Sequence, residues 1–240
     1  MNSNKNTGAA FILGILLSIG LVSLGYFISH GIVALRAMER SVAVKGLSER
    51  DVPANIAIWP IIFSEADNDL NSLSSAIQQK TAVVLDFLRK SGFEESEISI
   101  AAPAILDRQA QQYEGSEKSR FRYSGRATLT VYSDNVDLVR STTKRLLELG
   151  RQGIAIGGED YQSKTVFMFT RLNDLKPEMI EEATKNARAV AEKFAEDSKS
   201  KLGKIKSASQ GQFSIDDRDS GTPYIKKVRV VSTVEYYLSD

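Results

Sequence analysis

Thirty consecutive residues, Asn6 to Leu35, contain no aspartate, glutamate, lysine or arginine, and this run constrains the chain more than any other feature. Its centre, FILGILLSIGLVSLGYFI (Phe11 to Ile28), is almost wholly apolar. About 20 such residues span a bilayer as a helix, because a helix satisfies its own backbone and the side chains match hydrocarbon. A cleaved secretory peptide is the competing reading. Such a peptide has an apolar core of about 7 to 15 residues and a small-residue exit, whereas this run is longer and continues into SHGIVALRAMER without one. Residues 1–40 are therefore read as a tail and an uncleaved single-pass anchor, and residues 41–240 as the body.

The charges around the span do not fix its direction. Lys5 and the terminal amine stand on one side, and Arg36, Arg40, Lys45 and Arg50 on the other. Counted alone they favour a cytoplasmic body, but the rule is weak for long translocated domains. His30 is read as an interfacial residue, since metal ligation needs partners that are not nearby in sequence.

The body alternates strand-like and helix-like segments. Strands are expected at Ser41 to Gly46 and at Ala54 to Phe63. A helix then runs from about Asp69 to Lys90, capped by Asp67 or Asn68, with Leu70, Leu73, Ile77, Val84 and Leu88 on one broad face and Ser91-Gly92 as its stop. EISIAAPAIL (Glu97 to Leu106) reads as a strand, followed by a polar loop through Gln109 to Ser119. FRYSGRATLTVY has the clearest alternation: Phe121, Tyr123, Gly125, Ala127, Leu129 and Val131 face one way, and Arg122, Ser124, Arg126, Thr128, Thr130 and Tyr132 the other. Period two with one polar face predicts an antiparallel sheet solvated on one side.

A second helix is expected at Asn135 to Leu149, capped by Ser133 or Asp134 and stopped by Gly150, then strands at Ile154 to Glu159 and Thr165 to Leu172. The longest helix of the body is placed at Lys176 to Leu202. Asp174 begins it, Pro177 sits in its first turn and Gly203 closes it. Ala183, Ala187, Val190, Ala191, Phe194 and Ala195 form a small-residue stripe suited to close packing on a sheet. Strands at Ile205 to Phe213 and Lys227 to Leu238 complete the chain. The predicted class is α+β: antiparallel sheet with three helices packed on one face, preceded by one N-terminal transmembrane helix.

Composition narrows the chemistry. Lys plus Arg number 31 against 30 for Asp plus Glu, a formal net charge of +1 that supplies no field for nucleic acid. With no cysteine and a single histidine in the anchor, Ser-His and Cys-His machinery and histidine- or thiolate-based zinc sites are excluded from the body. RQGIAIGGED (Gly153, Gly157, Gly158) has neither dinucleotide nor phosphate-loop spacing and reads as a strand end and turn. EADND (Glu65, Asp67, Asp69) and DDRD (Asp216, Asp217, Asp219) lack a calcium loop's full spacing, and read as a helix cap and a solvated loop. Arg120, Arg122 and Arg126 share the polar face of one strand, which without an aromatic platform reads as solvent face. Trp59, the only tryptophan, reads as core or subunit contact. No catalytic, cofactor-binding or metal residue is assigned, and no cofactor is expected.

Taken in order, several segments resemble the SIMPL-domain family: VAVKG (Val42, Val44, Gly46), Pro53 before the next strand, and a helix ending in Leu88 and Gly92. The ISI strand (Ile98 to Ile100), the tyrosine-containing strand at 123–132 and the alanine-spaced helix ending in LGKI (Leu202, Gly203, Ile205) follow. The resemblance implies an α+β domain without established catalytic residues and a bacterial cell-envelope location. The expectation is a non-enzymatic protein of the inner membrane, its soluble domain periplasmic, acting by binding or self-assembly. Its partners are then the membrane, a homo-oligomer or an envelope protein. The alternatives are a carboxylate-based envelope hydrolase and a cytoplasm-facing interaction module. For assembly, Trp59 and an open sheet edge are the expected contacts.

Overall fold

A computed structural model describes residues 3–37, 40–110, 120–157 and 164–239, with the side chains of 3–10 and 32–37 outside that description. It is α+β with antiparallel sheets, as predicted. Helix α1 (Ser3–Ala37) is followed by β1 (Ser41–Pro53), β2 (Ile56–Asp67), α2 (Leu70–Ser91), β3 (Ile98–Ile100), β4 (Ala104–Asp107) and β5 (Tyr123–Ser133). Then come α3 (Val136–Thr143), α4 (Leu147–Arg151), β6 (Val166–Met168), α5 (Leu172–Asp197), β7 (Lys201–Gln210), β8 (Ser214–Asp217) and β9 (Ile225–Ser239). The chain divides into two compact units. One holds Met1–Glu49, Lys176–Phe213 and Arg229–Asp240; the other holds Arg50–Leu175 and Ser214–Val228. The division falls within β1, α5 and β9.

The second unit is built on β2 and β5, which pair antiparallel from Ala57↔Ser133 to Asp67↔Tyr123. Ala57, Trp59, Ile61 and Phe63 of β2 and Ala127, Leu129 and Val131 of β5 form its core with Leu73, Ile77, Val84, Phe87 and Leu88 of α2, Val139 of α3 and Leu149 of α4. The alternation of β5 is thus realised, and α2 buries the face predicted for it, apart from Leu70, which is exposed. Asp69, not Asp67 or Asn68, caps α2: its carboxylate accepts the Ser72 N–H at 2.8 Å, and Asp67 in turn accepts the Asp69 N–H. Gly92 ends α2 in the left-handed region, with Phe93 N–H on Leu88 C=O and Gly92 N–H on Arg89 C=O.

Four segments in this unit differ from expectation. The strand predicted over Glu97 to Leu106 is two strands, because Pro103 has no N–H to give and the partner register on β5 slips by one residue between Ile100↔Leu129 and Ala104↔Arg126. The helix predicted over Asn135 to Leu149 is two helices. Asn135 caps the first, accepting the Leu138 N–H, and the joint is a tighter turn in which Arg145 and Leu146 donate to the carbonyls of Thr142 and Thr143. Of the strand predicted over Ile154 to Glu159, the described part gives an isolated bridge, Phe63↔Ile156; Gly158 and Glu159 lie outside the described residues, as does most of the loop after Gln109. The strand predicted from Thr165 to Leu172 shortens to β6, and α5 begins at Leu172.

In the first unit α5 packs on β1 and β9 through Val44, Ala187, Ala191, Val234 and Tyr236. β9 lies between β1 and β7. β1 extends beyond Gly46 through polar residues because the sheet still satisfies them: Ser48 is buried and donates to Glu182 at 2.9 Å, and Glu49 pairs with Arg229 at 3.1 Å. At Gly46 a Cβ would lie 1.9 Å from the carbonyl oxygen of Ala183 and 2.4 Å from the nitrogen of Ala187. The glycine lets the helix backbone rest on the strand. The alanines at 183, 187, 191 and 195 are buried for the same reason, whereas Val190 and Phe194, predicted on that stripe, are exposed.

Both predicted ends of α5 move. The helix starts before Asp174, so Pro177 lies inside it and not in its first turn. It stops at Asp197, not at Gly203, because Lys199 takes the left-handed conformation (φ 55°) and Ser200 N–H bonds the Ala195 carbonyl, closing the helix without a glycine. Gly203 lies in β7.

Candidate functional site

The residues weighed for chemistry are dispersed. Glu65 pairs with Lys80, Asp67 holds a turn and Asp69 caps α2. Hydrogen bonding to the Ser72 backbone holds the Asp69 carboxyl below its usual range. The DDRD segment is half strand: Asp216 and Asp217 end β8, and Asp217 pairs with Lys226. Asp219 shapes the turn to β9. It accepts from the Thr222 hydroxyl, Arg218 and the N–H groups of Gly221 and Thr222, which together lower its pKa to about 2. Among the described residues no group of three or more histidines, aspartates or glutamates is arranged to hold a metal ion.

The three arginines do not act together either. Arg122 makes a fork with Asp107, at 2.9 and 3.2 Å, and lies 4.8 Å over the Tyr123 ring; Arg120 stacks on Phe121. The fork lowers the Asp107 pKa and raises that of Arg122. Arg126 instead lines a shallow groove with Ser64, Ala104, Leu106, Arg108 and Ser124. Trp59 is 2 % exposed and lies 6.3 Å from Phe93. It is core, and the expectation that it serves as an assembly contact is corrected: a fully buried indole has no surface to offer. His30 stacks on Tyr26 at 4.5 Å, one turn away on α1.

What the second unit does present is an apolar cleft of about 370 Å³ between α2 and the interrupted strand β3–β4. Ile77, Ala82 and Leu85 form one wall, Ile100, Pro103 and Ile105 the other, and Ser74, Gln78 and Thr81 stand along the helix side. Ile100 is 54 % and Ile105 44 % exposed. Among the described residues β3 and β4 pair with β5 alone, so one side of each strand has backbone groups with no described strand beside them. Among the described residues the cleft is lined by no ionisable side chain.

The sequence profile of SIMPL, described as a protein of unknown function (DUF541), matches residues 42–236. The chain belongs to the SIMPL family. The match takes in every strand and the whole of α2 to α5 apart from the outermost residues of β1 and β9, and it leaves α1 outside. No curated protein matches the chain. Helix α1 contains Phe11–Gly31, 21 residues long and apolar enough to cross a membrane. At about 1.5 Å rise per residue this is roughly 31 Å, the thickness of the hydrocarbon layer. A SIMPL domain behind such a helix fits a membrane-anchored, single-pass protein.

Sequence reasoning missed the cleft. Its signal was present in EISIAAPAIL, where apolar residues occupy both strand parities and a proline interrupts them. A strand with both faces apolar and a proline belongs at a sheet edge against something that covers it.

Proposed function

We propose that this SIMPL-family protein is an inner-membrane protein of the bacterial envelope whose body faces the periplasm and works by binding a protein, a second copy of itself included, without catalysis. The observation that carries the reading is the cleft beside β3–β4. An open strand edge supplies backbone donors and acceptors, and the adjoining apolar trough takes alternate side chains of an added strand, which is the chemistry of β-augmentation. A glycan hydrolase needs two carboxylates roughly 5 to 9.5 Å apart across a cleft, and among the described residues neither this cleft nor the groove at Arg126 is lined by a carboxylate.

The chain has no cysteine, so Ile105→Cys gives a single attachment point for a photoreactive crosslinker in native membranes. We expect either an adduct of twice the chain's mass or one with another envelope protein, both absent from Lys90→Cys. No adduct from Ile105→Cys, or reproducible turnover by the purified full-length protein, overturns the reading.

The charges flanking the apolar segment favour a second reading, a cytoplasm-facing module, since Arg36, Arg40, Lys45 and Arg50 follow it and Lys5 and the terminal amine precede it. Protease added to spheroplasts separates the two: digestion of the body places it outside the inner membrane, and protection places it in the cytoplasm.

A further inference from the structure

We propose that the strand edge β3–β4 pairs antiparallel with the same edge of a second copy, about a two-fold axis between Ala102 and Pro103, so that each copy closes the other's cleft. This names the partner in the binding reading above and rests on that reading.

The ladder to β5 shows which backbone groups are already engaged. Ala101 N–H donates to the Thr128 carbonyl at 3.0 Å, and Arg108 N–H to the Arg122 carbonyl at 2.9 Å. Residues of an antiparallel strand alternate between bonding toward a neighbour and away from it. With Ala101 and Arg108 turned toward β5, Ile100 and Ile105 direct their N–H and C=O groups away, where no strand is described. An unbroken strand would send positions an odd number apart to opposite sides; the slip beside Pro103 is what lets 100 and 105 share one edge. Their side chains also share a face. Ile100 stands opposite buried Leu129, and Ile105 opposite Gly125, where a Cβ would meet Ile77 of α2.

A second copy meets the demands of this edge residue by residue. In the antiparallel register centred between Ala102 and Pro103, Ile100 of each chain stands opposite Ile105 of the other, so outward-directed groups meet outward-directed groups. Each such pair exchanges two hydrogen bonds, and Pro103 at the centre has no N–H to leave unpaired. The isoleucines, 54 % and 44 % exposed in one chain, then cover the open side of the opposite cleft. Charge agrees with the register. From Ile98 to Leu106 no side chain is ionisable, so no like charges are brought together. Just beyond those ends Glu97 of one copy falls opposite Arg108 of the other, and the two-fold axis makes that opposition twice.

Because the native chain has no cysteine, oxidation of the full-length Ile100→Cys/Ile105→Cys double variant in native membranes reads the register. Opposite residues of a hydrogen-bonded pair have Cα atoms about 5.5 Å apart, within disulfide reach, whereas positions 100 and 105 of one chain, or the same position of two chains, are about 17 Å apart along the strand. We expect a reducible band of twice the chain's mass from the double variant and none from either single variant. For the detergent-solubilised chain without cysteines, sedimentation is expected to show a dimer, a shift toward monomer in Glu97→Arg, and a return to dimer in Glu97→Arg/Arg108→Glu. The proposal is overturned by the absence of the band from a double variant whose circular dichroism matches the parent, by single variants that crosslink equally well, by a native chain that sediments as a monomer, or by charge reversal without rescue. An Ile105→Cys photo-adduct with another envelope protein and no dimer band would overturn the two-fold pairing alone. No adduct of either kind would overturn the binding reading beneath it.

Discussion

The two units seat a helix on a sheet in opposite ways, and each has a glycine that shows how. In the second unit α2 buries Leu73, Ile77, Val84, Phe87 and Leu88, and a Cβ at Gly125 would meet the tip of the Ile77 side chain at 2.4 Å. In the first, α5 buries Met179 and four alanines, and a Cβ at Gly46 would meet helix backbone at 1.9 Å. Side chains fill the space between helix and sheet in one unit; in the other the space scarcely exists. The difference predicts opposite sensitivities. A contact made by backbones tolerates no added atom, because a helix cannot rotate its carbonyls aside, whereas a core made by large side chains suffers most from removed ones.

The largest effect is expected at Gly46. Gly46→Val must push α5 off β1 along its length, and we expect a loss of more than about 4 kcal/mol, beyond ordinary overpacking. Chemical denaturation of the detergent-solubilised protein followed by circular dichroism measures it. A loss below about 1 kcal/mol would show that α5 is not held by backbone contact and would erase the contrast between the units. Next is Phe63→Ala in the second unit, where a fully buried ring leaves a cavity and a cost of about 3 to 5 kcal/mol. Trp59 emission reads this unfolding directly, because both residues belong to the same core. Smaller again is Gly125→Ala. The Ile77 tip has rotamers to retreat into, so about 1 to 3 kcal/mol is expected, clearly less than the same single-methyl change, Gly46→Ala, costs on the other unit.

The same contrast governs what the sequence disclosed. Helix α2 was placed to within a residue at each end, because its stripe of large apolar residues, its Asp-rich entry and its Ser91-Gly92 exit all state the same thing. The alternation of β5 was equally plain. The helix of the other unit was misplaced at both ends. Small residues give a weak periodic signal, Lys199 closes the helix in a conformation that sequence assigns to glycine, and Gly203 offered a false stop. Caps slipped by one or two residues wherever several short polar side chains stood in a row, as at Asp67 to Asp69 and Ser133 to Asn135, because only the fold decides which one reaches a free N–H. The candidate cleft was not legible because it depends on a bulge that lifts Pro103 and Ile105 beside α2, and register is a property of two strands together.

The smallest effects separate the units by how far their carboxylates reach. Asp219 is stabilised within its own turn, by Thr222, Arg218 and Gly221, and its pKa is lowered from 3.8 to about 2. Glu235, also lowered, is held first by Ser41 of β1, then by Lys206 and Ser207 of β7, so its hydrogen bonds tie the central strand β9 to both neighbours. Both shifts are downward, so each carboxylate contributes stability that is present above its unfolded pKa and lost as the pH falls through its folded one. For Asp219 that window runs from about 4 to about 2. Asp219→Asn should remove that pH dependence while changing only the local turn, whereas Glu235→Gln should lower the unfolding midpoint at neutral pH and flatten its decline in acid, because the charge and one of the two accepting oxygens shared by three strands are lost. Carboxyl carbon shifts followed by NMR through the acid range measure both groups. An Asp219 that titrates near 4 would mean the turn is not held by its carboxylate, and a Glu235→Gln protein as stable as the parent at every pH would mean β9 owes its neighbours nothing at that position.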